Sequence, residues 1–141
     1  MMTNQQELKE MAFKKLKKEE GYRQHPYKCT AGKLTIGYGR NLDDVGISEL
    51  DAEYLLQNDI DKAIQELKYK FNWFDEQSND VKLCLIDMTF NLGLAGLLKF
   101  KNMLFAIGIG NLRIARAELL DSSYARQLPS RSKRNADLLF K

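Results

Sequence analysis

Glu20-Gly21-Tyr22, and soon after it Cys29-Thr30-Ala31-Gly32-Lys33-Leu34-Thr35-Ile36-Gly37-Tyr38-Gly39, join a helical pattern to a strand pattern within 20 residues. Upstream, Leu8, Met11, Ala12 and Leu16 recur at helical spacing, and Asn4 followed by Glu7 reads as a helix cap. A helix over about residues 5–20 is expected, ended by Gly21. From Pro26 to Gly39, aromatic and β-branched residues surround Thr30-Ala31-Gly32-Lys33, which is how a hairpin with a glycine-containing loop reads. Helix followed by small sheet makes the class α+β.

The same stretch carries a carboxylic acid, a thiol and a hydroxyl: Glu20, Cys29 and Thr35, spaced nine and six residues apart. Such a set can protonate a leaving group and steer a water, which is what hydrolysis of a glycoside requires. Glu20 stands at the C-terminal end of its helix, where the negative end of the dipole favours the protonated acid a donor must be. Glu19 should point about 100° away around the helix, into solvent. Taken singly the three are ordinary: a surface glutamate, a cysteine able to fill a core, a threonine suited to a strand. If Cys29 and Thr35 share a face, the alternation of side chains makes them cross-strand partners around an odd loop centred on Gly32. A two-residue turn at Ala31-Gly32 would put them on opposite faces.

The rest of the chain is helical. Ser48 and Asp51 form a capping pattern ahead of Ala52, Leu55, Leu56, Ile60, Ala63, Ile64 and Leu67, the longest amphipathic helix, over about 49–68. Between Asp80 and Leu92 the residues Val81, Leu83, Cys84, Leu85, Ile86, Met88, Phe90 and Leu92 are apolar almost all round, as in a helix buried at the centre of a bundle, with Gly93 as its stop. Shorter helical patterns run from about Leu97 to Ile107, from Asn111 to Leu120 and from Pro129 to Phe140. Trp73, Phe71 and Phe74 read as a seal over the loop between helices.

Length and composition bound the function. At 141 residues, with 44% hydrophobic and 29% charged side chains, the chain fits one domain with a real core. The net charge of +3, from 22 basic and 19 acidic residues, permits an anionic partner without requiring one. Lys14, Lys15, Lys17 and Lys18 read as a solvated helix face. Two cysteines, Cys29 and Cys84, do not make a secreted disulfide framework. A single histidine, His25, without a Cys-x-x-Cys pair argues against a metal site. The opening Met1 to Glu7 is polar and no run of about 18 apolar residues occurs, so synthesis in the cytoplasm without a signal peptide or stable membrane insertion is expected.

Glu20, eight residues, Cys29, five residues, Thr35, then Ile36-Gly37-Tyr38-Gly39 resembles the phage-type lysozymes, the muramidases of glycoside hydrolase family 24. The resemblance continues through Asp51-Ala52-Glu53 to Asp61, through Met88-Thr89-Phe90-Asn91-Leu92-Gly93, and through Gln127-Leu128-Pro129-Ser130-Arg131-Ser132-Lys133-Arg134. It implies a two-lobed α+β fold: an N-terminal lobe over about 20–50 with a small antiparallel sheet, a bridging helix over about 49–68, and a helical C-terminal lobe over about 75–141 with the first helix packed near it. Substrate would lie in the cleft.

By the same resemblance Glu20 is the general acid on the β-1,4 bond between N-acetylmuramic acid and N-acetylglucosamine. Cys29 stands where the attacking water is activated or held, and Thr35 hydrogen-bonds that water. Arg131 reaches toward Glu20, Phe90 lines the sugar site and Gln127 sits at the rim. No cofactor and no metal is implied. Bacterial peptidoglycan is the expected partner of a monomer that acts on the cell wall from the periplasm, released through a holin, as an endolysin of a phage or prophage. A non-catalytic cationic protein that binds peptidoglycan or disrupts membranes is the alternative, and nucleic acid is not expected as a partner. The chain departs from many relatives at Arg40, where histidine is common and where a pair with Asp59 is the hypothesis, and at Met103 and Glu118, where some relatives carry glycan-binding polar groups.

Overall fold

The computed structural model describes residues 1–141. It divides into two compact units, Met1–Glu53 and Tyr54–Lys141. The class is α+β, with seven α-helices and a three-stranded antiparallel sheet. No single helix is long and apolar enough to cross a membrane.

The first unit opens with α1, Asn4–Glu20. Its cap is Thr3 rather than Asn4: the Thr3 hydroxyl accepts from Gln6 N and the Gln6 side chain accepts from Thr3 N, a reciprocal box one residue upstream of the one expected. Gly21, at φ +69°, ends the helix as expected and returns its N–H to the Lys17 carbonyl at 3.0 Å. Strand β1, Arg23–Lys28, pairs with β2, Leu34–Gly37, which pairs with β3, Arg40–Asn41, a short third strand that the hairpin reading lacked. Between Arg23 and Tyr27 the pairing slips, so that Gln24, His25 and Pro26 stand opposite Ile36 alone. Pro26 has no N–H to give a ladder, and a bulge is where a strand tolerates it.

The second unit holds the apolar core. Helix α2, Glu49–Lys70, starts at Ser48, whose hydroxyl accepts from Asp51 N at 3.1 Å, and its Tyr54–Lys70 portion contributes Ala63 and Leu67 to the buried set. A 3₁₀ turn, Phe74–Glu76, leads to α3, Asn79–Leu97, capped by Ser78. Val81, Cys84, Leu85 and Met88 are buried along α3, as the nearly unbroken apolar run requires. Gly93 interrupts this helix with φ +74°, and helical turns resume to Leu97. The next helix, α4, therefore spans Lys101–Gly108 only. It is followed by α5, Leu112–Leu120, with Asn111 as its cap, then α6, Ser123–Gln127, which has too few residues to show a period in sequence, and α7, Pro129–Leu139. Helix α7 packs on α3, α5 and α6. Phe71 and Trp73 stack at 4.6 Å between ring centroids, and Gly108 lets the Trp73 indole approach so closely that any side chain there would collide with it.

Candidate active site

Six residues were singled out by the sequence: Glu20, Cys29 and Thr35 fall in the first unit, and Phe90, Gln127 and Arg131 in the second. In the first unit the hairpin loop is Thr30-Ala31-Gly32, closed by Cys29 N–H donating to Lys33 O at 2.9 Å and Gly32 N–H to Cys29 O at 2.8 Å. Gly32 at φ +77° supplies the left-handed third residue such a loop needs. The loop is odd, as expected, but centred on Ala31. Tyr27, not Cys29, stands opposite Thr35. Cys29 is bonded across to Lys33, two residues before Thr35, so alternation still places it on the Thr35 face, diagonally. Sharing a face requires only an even offset, which is why the expected direct pairing was too strict.

Thr35 is 3% exposed and its hydroxyl donates to Lys33 O at 2.9 Å. One carbonyl thus gathers the Cys29 backbone and the Thr35 side chain. Backbone hydrogen bonds at Lys33 and then Ala31 hold the Cys29 thiol below its ordinary value. Cys84 behaves in the opposite way: burial in α3 pushes its thiol up to about 12, with the nearby Asp87 charge adding to the effect. It is an inert core residue, whereas Cys29 is a partly accessible thiol with enriched thiolate character.

Glu20 closes α1, and its carboxylate lies against Gly39. A Cβ on residue 39 would drive into that carboxylate, and the backbone there adopts φ +70°. Gly39, the last residue of the Gly37-Tyr38-Gly39 segment, therefore clears the space that the Glu20 carboxylate occupies. Tyr38 packs on Tyr22 at 5.7 Å, joining the end of α1 to the end of β2. Arg40 is held within this unit, its Nε donating to Gly46 O at 2.9 Å.

In the second unit Arg131 grips Asp87 through two parallel bonds, Nε to Oδ2 at 3.0 Å and Nη2 to Oδ1 at 2.8 Å. Asn135 Nδ2 also donates to Asp87 Oδ2, at 2.8 Å, and lies 3.3 Å from the Tyr124 hydroxyl. These donors, the Arg131 fork foremost, hold the Asp87 carboxyl below the usual carboxylate range. Asp87 and Asn135 were not found from sequence. The signal was there, since Asp87 is the only charged residue between Leu83 and Leu92, and a carboxylate in such a run needs a partner. Phe90 is half exposed on α3, and Gln127, at the end of α6, lines a depression with Leu92, Gly96, Lys99, Phe100 and Tyr124. Met103 is buried in the core, while Glu118 lines a neighbouring depression with Lys99 and Lys101.

No cluster of His, Cys, Asp and Glu in the chain could hold a metal ion. The arrangement offers acid–base and hydrogen-bonding chemistry: a carboxyl at a helix end, a thiol of enriched thiolate character, and a buried hydroxyl with a fixed donor direction.

The helix, small sheet and helical remainder of this α+β chain follow the order of the lysozyme-type glycosidases, and the family model for phage lysozyme matches residues 17–136. The chain belongs to the phage lysozyme family and is a lysozyme, an O-glycosyl hydrolase. It is 30% identical over 115 residues to an endolysin of Acyrthosiphon pisum secondary endosymbiont phage 1, an alignment that covers 79% of this chain and 76% of that protein.

Proposed function

We propose that this lysozyme hydrolyses the β-1,4 bond between N-acetylmuramic acid and N-acetylglucosamine with inversion, and serves a phage or prophage as an endolysin. The observation that carries the mechanism is the Lys33 carbonyl, which takes the single proton of the Thr35 hydroxyl. With that proton committed, Thr35 Oγ1 offers lone pairs to a water, while the Cys29 thiolate beside it accepts the proton the water loses on attack. Glu20 donates its proton to the glycosidic oxygen as the bond breaks. One water is consumed, and the thiol and the carboxylate exchange their protons with solvent before the next turnover. Phe90 gives a flat apolar surface for a sugar ring, and Gln127 and Arg131 give polar contacts. A monomer acting on the wall after release through a holin completes the reading.

The test is reducing sugar released from purified peptidoglycan. Glu20→Gln should cut the rate by about 10²–10⁴-fold at unchanged melting temperature, and retained activity would sink the assignment. Cys29→Asp should keep much of the activity and Cys29→Ala lose most of it. The anomer of the first product separates water activation from direct attack by the thiolate, since a retained anomer means a covalent sugar–Cys29 intermediate.

A further inference from the structure

The hydrogen bonds around β2 single out a residue with no part in the chemistry described so far. In the regular ladder between β2 and β3, Thr35 faces Asn41 and Ile36 faces Arg40, so Leu34 should face Leu42. Half of that pair exists: Leu42 N–H donates to Leu34 O at 2.7 Å. The reciprocal acceptor is missing, because the chain turns at Asn41–Asp44 and the Leu42 carbonyl instead accepts from Gly46 N at 3.1 Å. Leu34 N–H is taken by a side chain: it donates to Asp43 Oδ2 at 2.6 Å.

That N–H belongs to the same planar peptide group as the Lys33 carbonyl. One end of the plane is therefore fixed by Asp43, and the other end accepts from Cys29 N and from Thr35 Oγ1, both at 2.9 Å. A carboxylate on the N–H also polarises the peptide and makes its carbonyl a better acceptor. The neighbouring contacts brace the same loop: Lys33 Nζ lies 3.2 Å from Asp44, and Asn41 holds Asp44 through two bonds of 3.0 Å. We propose that Asp43 is a positioning residue of the glycosidase site, pinning the Lys33–Leu34 peptide whose carbonyl gathers Cys29 and Thr35. The inference rests on the roles proposed for those two residues, but its physical content, the placement of Cys29, can be read without any sugar.

Asp43→Ala removes the acceptor and the charge, whereas Asp43→Asn keeps an oxygen for Leu34 N–H and removes only the charge. Two measurements are made on both variants. The first is the rate against pH of iodoacetamide reaction with the native protein, which reports Cys29 because Cys84 is buried. The second is the split of kcat from KM on peptidoglycan. Asp43→Ala should move the Cys29 titration to higher pH and lower kcat by about tenfold with KM within about twofold, while Asp43→Asn should restore both toward wild type. An Asp43→Ala thiol profile that coincides with wild type overturns the proposal, as does an Asp43→Asn variant as impaired as the alanine. Should Asp43→Ala fail to fold, Asp43→Ser, whose side chain is one atom too short to hold Leu34 N–H in the same way, takes its place: a displaced thiol profile that Asp43→Asn restores supports the role, and a profile that coincides with wild type refutes it. If wild-type protein releases no reducing sugar, the glycosidase mechanism fails by itself, and the thiol comparison still settles what Asp43 does.

Discussion

The two units of the molecule are held together by different forces. In Met1–Glu53 a single residue is buried, and it is Thr35, a polar side chain. The order there comes from directional bonds: the Thr3–Gln6 box, the Cys29–Lys33 closure, the Asp43 bond to Leu34 and the Asn41–Asp44 clasp. In Tyr54–Lys141 a contiguous cluster including Leu67, Phe74, Val81, Leu85, Met88, Leu97, Ile107 and Leu119 excludes water. Apolar burial is non-directional and contributes most of the free energy, whereas hydrogen bonds contribute little net but fix geometry. Stability and aim are thus carried by separate parts of the chain, which is also why the two cysteines differ.

That division is open to attack. Leu85→Ala, at a fully buried position, should cost about 2–5 kcal/mol and lower the melting temperature, yet leave the rate per folded molecule near wild type. Gly39→Ala should do the reverse, a rate loss of about 100-fold from displacement of Glu20 with a much smaller change in melting temperature. If the second variant unfolds the protein as readily as the first, the separation is wrong.

Asp87 joins the two kinds of force, being a charged residue on the core helix. Its carboxyl is held below the value it would have in the unfolded chain, so the stability it contributes is fully present above about pH 4 and is lost as pH falls through the lower folded value. Asp87→Asn should therefore be less stable at neutral pH and show a flatter decline of melting temperature on acidification below about pH 4. Parallel wild-type and variant curves would mean the Arg131 fork contributes nothing to stability. The smallest effect is expected at Thr89, whose buried hydroxyl has no hydrogen-bond partner. Thr89→Val should raise stability by about 1 kcal/mol in denaturant titration, and a loss would show that the hydroxyl is satisfied in solution.

How much of this was legible in the sequence follows the same line. Periodicity found α3, α5 and α7, which commit residues to the core, and α2, of whose stripe only Ala63 and Leu67 are buried while Leu55 and Leu56 stay exposed. Gly21 ends its helix as read, whereas Gly93, read as a stop, is a break after which helical turns resume, and both glycines adopt positive φ. The cap at Thr3 was missed because Asn4-x-x-Glu7 fits the same pattern one residue along, and only the extended backbone at Thr3 decides between them. The hairpin was found, but its partners were assigned too strictly, since sequence gives the alternation and not the diagonal. Glu20, Cys29 and Thr35 were singled out by type and spacing, and the contacts around them were not legible: Gly39 makes room for Glu20 through an absent atom, Lys33 and Leu34 bond through backbone groups common to every residue, and Asp43 reaches Leu34 N–H only because a turn breaks the ladder.

A three-stranded sheet leaves two strands with one unpaired side each, and β1 and β3 are those strands here. Exposed edges invite a second chain to add a strand, the first step toward aggregates. In this protein β3 is two residues long, and β1 carries Arg23, Lys28, a bulge and Pro26, which has no N–H to offer a newcomer. The hairpin that bears the thiol and the hydroxyl can therefore lie at the surface without becoming a template for its own copies.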